Sequence, residues 1–168
     1  PDLRQETRQM ASRRKEWKPA MIQVFRELSL VANSKQLNLQ LIESLILSYA
    51  QEDDFQSALL EMMSSAGQRP DFKEHLLNSI AFLEDLPETL EACVLLGLKE
   101  DAPGVRSASL KLAARFEMPS TILRFISQLE AREGLSKKDK VDALKVLFKH
   151  HDRPPDGSIS FLIRLITD

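Results

Sequence analysis

Helix-start signals recur along this chain at intervals of about 16 to 19 residues, and that cadence constrains the fold more than any other feature. Pro19, Pro70, Pro87, Pro103 and Pro119 each open a segment whose apolar residues return at helical spacing. Proline suits a first helical turn because its missing N–H would have no partner there and its φ is already helical. Asp54, Ser120 and Ser136 are candidate N-cap oxygens, and Gly67 and Gly134 are candidate stops. The predicted helices span about 3–15, 19–33, 38–51, 54–66, 71–84, 87–99, 103–116, 119–132, 137–150 and 156–167, nine or ten in all. No stretch alternates in the manner of a strand, and few glycines and aromatics are present, so the expected class is all-α.

Two helices then occupy about 35 residues, which calls for a test of repetition. Phe55, Ala58 and Met62 share one helix face, with a small residue where a partner helix would approach closely. The same order is read in Trp17, Ala20 and Val24; in Leu86, Thr89 and Cys93; in Met118, Thr121 and Phe125; and in Pro155, Ser158 and Leu162. A helix hairpin built this way leaves one apolar face open for the next hairpin to cover. The expectation is one domain over 1–168, an α-solenoid of stacked antiparallel hairpins in a right-handed superhelix, with a non-repeating helical bundle as the alternative. Residues 1–16 are expected to form a loosely docked N-terminal helix, and the start at Pro1 suggests a fragment of a longer protein.

The stretch LIESLILSYAQEDDFQSALLEMMSSAGQRPDF, residues 41–72, resembles a pentatricopeptide repeat, a relative of the tetratricopeptide repeat. Tyr49 lies in its first helix, Phe55 and Ala58 in its second, and Met63, Gly67, Pro70 and Asp71 follow in the expected order. Residues 10–28 resemble the turn and second helix of a preceding unit, while EDAPGVRSASLKLAARF, residues 100–116, is similar to a HEAT-type helix. The pentatricopeptide resemblance implies single-stranded RNA binding, with Glu43 and Asp71 in the two base-reading positions. Members of that family carry Asn, Ser or Thr at the first of these, and a carboxylate pair is a poor approach to a polyanion.

Charge distribution gives an independent view. Residues 1–42 hold eight Lys/Arg against four Asp/Glu, residues 43–101 three against thirteen, and residues 102–168 twelve against eight. A nucleic-acid site draws its affinity from basic surface, so the acidic centre argues for a basic or extended segment of another protein as partner. The candidate contacts are Glu43, Glu52, Asp53, Asp54, Asp71, Glu84 and Asp85; the plainer alternative is that these acids solvate helix faces and turns. Under the RNA alternative, Arg13, Arg14, Lys15, Lys137, Lys138 and Lys140 would contact phosphates and Trp17 would stack on a base, whereas its match with Phe55 places Trp17 in the core of its helix pair, which is the expectation. Lys138 and Asp142 are spaced to pair along one helix. A third expectation is a structural spacer or dimerisation segment of a larger protein.

Catalytic signals are sparse. His150 and His151 are adjacent and therefore diverge by about 100° on a helix, with no ligand spacing around them. No phosphate loop or nucleophile elbow is present, so a non-enzymatic scaffold without cofactor or metal is expected. The lone Cys93, in LEACVLLGL, is expected to be a buried thiol in an intracellular, reducing compartment. No apolar run approaches the roughly 20 residues that span a bilayer, so no membrane insertion is expected.

Overall fold

The structure, a computed structural model, describes residues 17–30, 36–65, 69–130, 135–150 and 163, and gives the backbone alone at 28–30, 36–38 and 130. The helix expected over 3–15, that over 156–167 apart from residue 163, the stops at Gly67 and Gly134, and the triplet Pro155, Ser158 and Leu162 lie outside the described residues. Eight helices are present among them and no strand: α1 Lys18–Leu30, α2 Gln36–Tyr49, α3 Asp53–Ser64, α4 Pro70–Ile80, α5 Glu88–Lys99, α6 Pro103–Arg115, α7 Ser120–Glu130 and α8 Lys137–His150.

Local chemistry explains the boundaries. Pro70 and Pro103 occupy the first turns of α4 and α6, and Pro87 holds the cap position of α5. Ser136 caps α8, its Oγ accepting the Asp139 N–H at 3.1 Å. Two expected caps are displaced. The Glu52 carbonyl accepts from the N–H groups of Phe55 and Gln56, both at 2.9 Å, so Glu52 holds the α3 cap and Asp54 sits inside the first turn. Likewise the Pro119 carbonyl accepts from Ile122 and Leu123, which puts Ser120 one place inside α7. Helix α4 stops at Ile80, short of the expected 84, because Phe82 and Leu83 bond back only three residues, to the Ser79 and Ile80 carbonyls.

The helices form two rows. In one, α1 packs on α3 and α3 on α5; in the other, α2 packs on α4, α4 on α6 and α6 on α8. The rows are joined most extensively within the pairs α1–α2, α5–α6 and α7–α8. Helix α2 therefore makes its main contacts with α1 and α4, and α3 with α1 and α5, so residues 41–72 straddle two pairs instead of forming one hairpin.

Buried positions recur along each row. Phe55, Ala58, Leu59, Met62 and Met63 of α3 are matched 35 residues later by Leu90, Cys93, Val94, Gly97 and Leu98 of α5, all buried. In the other row, Phe72, Leu76, Leu77 and Ile80 of α4, with Leu83 just beyond it, are matched 33 residues later by Val105, Ser109, Leu110, Ala113 and Phe116, again all buried. This register corrects the expected one. Ala20, Thr89 and Thr121 are exposed, and Trp17, expected in the core, is 37% exposed; α1 instead buries Ile22 and Phe25, with the Phe25 ring 4.9 Å from that of Phe55.

Gly97 marks a close approach between rows. A Cβ there would stand 2.1 Å from Ser109 Oγ on α6 and 2.9 Å from Leu77 Cδ1 on α4, so only glycine lets α5 seat at this depth.

Candidate interaction surfaces

The acidic centre is partly neutralised by the chain itself. Lys18, on α1, reaches Glu52 at 2.8 Å and Asp54 at 3.2 Å, and those two contacts, Glu52 first, raise its pKa. Arg26 pairs with Glu61 at 3.0 Å, so the α1–α3 contact carries cations against carboxylates on its outer side. A cleft of about 360 Å³ lies among them, lined by Lys18, Pro19, Ile22, Arg26, Asp54 and Ser57. Asp71 is gripped by the Arg69 guanidinium, whose hydrogen bonds hold its carboxyl below the usual carboxylate range. Glu43 is half-buried on α2 and engaged with a neighbour.

Asp53, Glu84, Asp85 and Glu88 remain exposed and meet no cation among the described residues. Nearby Glu91, half-buried on α5, has its carboxyl pushed up, chiefly by loss of water and then by the charge of Glu88. The free negative charge is thus densest at the α4–α5 turn, not at Glu52–Asp54, the densest point in the sequence.

A second electrostatic feature runs through the even-numbered row. Lys73, Arg106 and Asp139 fall 33 residues apart, at one register position on α4, α6 and α8. Lys73 Nζ meets Glu100 Oε1 at 2.5 Å; Arg106 Nη1 donates to the Glu100 carbonyl at 3.0 Å and Arg106 Nε to Asp139 Oδ2 at 3.2 Å. The Lys73 and Asp139 side chains are only 6% and 2% exposed, so this seam fixes how α4, α5, α6 and α8 meet, since an unpaired charge there would be costly. Sequence reasoning passed over it, though charges recurring every 33 residues within apolar faces were the available signal. Val105 and Arg106, within the stretch similar to a HEAT-type helix, sit in the core and in this seam respectively.

Side-chain donors also close the C-terminal ends of the even-numbered row. Arg115 Nη2 donates to the Leu83 carbonyl at 3.1 Å, Lys149 Nζ to the Arg115 carbonyl at 3.0 Å, and a His150 ring nitrogen to the Ala113 carbonyl at 3.1 Å. The Lys149 and His150 bonds satisfy carbonyls that helix geometry leaves open at the end of α6, and Lys149 sets positive charge at the negative end of its dipole.

Of the residues expected to contact RNA, Arg13, Arg14 and Lys15 lie outside the described residues. Lys137 and Lys138 are exposed and Lys140 half-buried; Lys138 Nζ lies 3.4 Å from Ser107 Oγ, while Asp142 pairs with Lys145 at 3.0 Å instead of with Lys138. Cys93 is fully buried, and burial pushes its thiol up to about 12. Among the described residues no three His, Cys, Asp or Glu side chains come together to hold a metal, and no helix is long and apolar enough to cross a membrane.

Compared with protein-family models, curated proteins and solved structures, the chain matches none of them. What stands is an all-helical protein whose described helices pack against one another in a manner compatible with a helical-repeat fold.

Proposed function

We propose that the chain is a non-enzymatic scaffold of stacked helical hairpins, an α-solenoid in a right-handed superhelix, that binds a basic segment of another protein on its acidic surface. The reach of the helix contacts carries this reading: the extensive ones join each helix to the next or the next but one, with buried positions recurring every 33 or 35 residues between the best-matched helices. A closed bundle brings its first helix back to its last, whereas a stack of repeats contacts only its neighbours and leaves long outer faces for ligands.

Within that frame the contact surface centres on Glu84, Asp85 and Glu88, which carry the unneutralised charge, with Asp53 to one side. Cationic side chains of a partner would gain from these carboxylates and from Glu91, whose charge burial disfavours.

The test is a titration of a fluorescently labelled Lys/Arg-rich peptide into the protein at low and near-physiological salt. Binding that weakens with salt and is lost in a Glu84→Lys, Asp85→Lys, Glu88→Lys variant is expected. Equal binding by that variant removes the acidic surface from the reading. Tighter binding of mixed-sequence single-stranded RNA than of the peptide replaces the scaffold with the RNA-binding alternative.

A further inference from the structure

The outer face of the even-numbered row has the opposite character. Phe82, Arg115 and Phe148 stand 33 residues apart, at equivalent positions at the C-terminal ends of α4, α6 and α8. Their adjacency follows from two hydrogen bonds already described: Arg115 donates to the carbonyl of Leu83, next to Phe82, and Lys149, next to Phe148, donates to the carbonyl of Arg115. Phe82 is 58% exposed and Phe148 38%, well above what a core phenylalanine shows. Arg115 is exposed and held in place, its guanidinium 5.4 Å from the Phe116 ring centroid. One turn earlier on α6, Lys111 is also exposed, and neither cation meets a carboxylate among the described residues.

From this placement we infer a second docking surface, in which an extended peptide segment of another protein sets a carboxylate against Arg115 and Lys111 and an apolar side chain against each of Phe82 and Phe148. This surface borders the acidic one, Phe82 lying two residues before Glu84, and takes a ligand of the opposite charge. Packed helices lie about 8–10 Å apart, and a chain in the extended polyproline II form advances about 3.1 Å per residue with three residues per turn, so every third side chain faces the surface. The matching segment therefore has an apolar residue, an acidic residue about three positions on, and a second apolar residue about three positions beyond that.

Local charge selects a peptide over a nucleic acid. Glu84 and Asp85 follow Phe82 closely, and Glu117 follows Arg115, its side chain 90% exposed. A continuous polyanion laid along the edge would meet these carboxylates, whereas a single acidic side chain flanked by apolar ones meets the cations alone.

The test uses the whole chain and a labelled synthetic peptide of the form Leu-Gly-Ser-Glu-Ser-Gly-Leu, with a control in which Gln replaces Glu. Fluorescence anisotropy reads affinity, and amide chemical shifts in the ¹⁵N-labelled protein read location. Expected are binding of the Glu peptide, binding of the Gln peptide weaker by about tenfold, and a loss of similar size in Phe82→Ser, Phe148→Ser or Lys111→Glu. These three positions are exposed, so their substitution leaves the core intact, and circular dichroism checks that it does. Shifts clustering at Phe82, Lys111, Arg115 and Phe148 support the surface. It is overturned by absence of shifts at millimolar peptide, by shifts clustering on α3 and α5, by equal affinity for the two peptides, or by single-stranded RNA binding that the same substitutions abolish.

Discussion

Substitution of Gly97 by alanine sets two opposing effects against each other. On helix propensity alone the change is favourable by about 0.8–1.0 kcal/mol, because Gly97 lies within α5. The new methyl, however, would sit 2.1 Å from Ser109 Oγ and 2.9 Å from Leu77 Cδ1. The leucine methyl is the end of a flexible side chain and can shift. The serine oxygen is less free: Ser109 is fully buried and its Oγ donates to the Val105 carbonyl at 3.0 Å. Rotating it away breaks that bond and strands a hydroxyl, at about 1–3 kcal/mol, and leaving it in place forces the helices apart at a similar overpacking cost of about 1–3 kcal/mol. The sum predicts that Gly97→Ala destabilises by roughly 0–2 kcal/mol. The diagnostic result is a change of sign. Ser109→Ala in the parent loses a hydrogen bond and costs about 1 kcal/mol, but in the Gly97→Ala background it removes the clash and raises stability. Urea unfolding of the four proteins of the cycle, compared at constant slope, measures this. A Gly97→Ala variant more stable than the parent, or two effects that simply add, would refute the close approach of α5 to α6.

Breaking the Arg106–Asp139 pair by Asp139→Ala leaves Arg106, whose side chain is 11% exposed, with a buried charge, and a loss of about 3–5 kcal/mol in urea unfolding is expected; a loss below about 1 kcal/mol would place this pair in water. Ser136→Ala removes the α8 cap and should cost about 1 kcal/mol, with exchange protection falling first in the opening turn of α8. Cys93 is expected to resist alkylation in the folded protein at pH 8 and to react once urea unfolds it; prompt native-state labelling would contradict its burial. Its thiol is raised to about 12 from an ordinary value of 9.0, so the proton is held more tightly in the folded state. The resulting stability is complete below the unfolded thiol's pKa and is lost as pH rises from there toward about 12. A Cys93→Ala variant should lack this part of the alkaline decline, which paired urea titrations at pH 8 and pH 10 would show.

Helix positions were legible because proline and helical periodicity act locally: α5, α6 and α8 fall within one residue of their expected limits. The repeat register was not. Leu86, Thr89 and Cys93 had been aligned with Phe55, Ala58 and Met62, whereas the buried set is Leu90, Cys93 and Gly97, one helical turn later. A shift of four residues preserves an i, i+3, i+7 pattern almost unchanged, so periodicity cannot separate the two, and the three-dimensional neighbours must. Trp17 was misplaced by a similar slip, of five residues, since Ile22 and Phe25 are the buried pair on α1. The charge map failed for a different reason. Counting acids along the chain locates Glu52–Asp54 correctly as a dense run, but Lys18 lies 34 residues before Glu52 and neutralises it only because α1 packs on α3.

Extensive contacts confined to a helix and its next two neighbours also bear on how the chain acquires its structure. Every such pairing closes a loop of modest length, so little chain entropy is lost before a contact forms, and low contact order of this kind accompanies fast folding. A chain emerging from a ribosome could therefore complete α1–α2 while later helices are still being made, each new helix finding its packing surface already in place. The two charged surfaces would then become available in order of synthesis, the acidic α4–α5 turn before the edge that Phe148 completes.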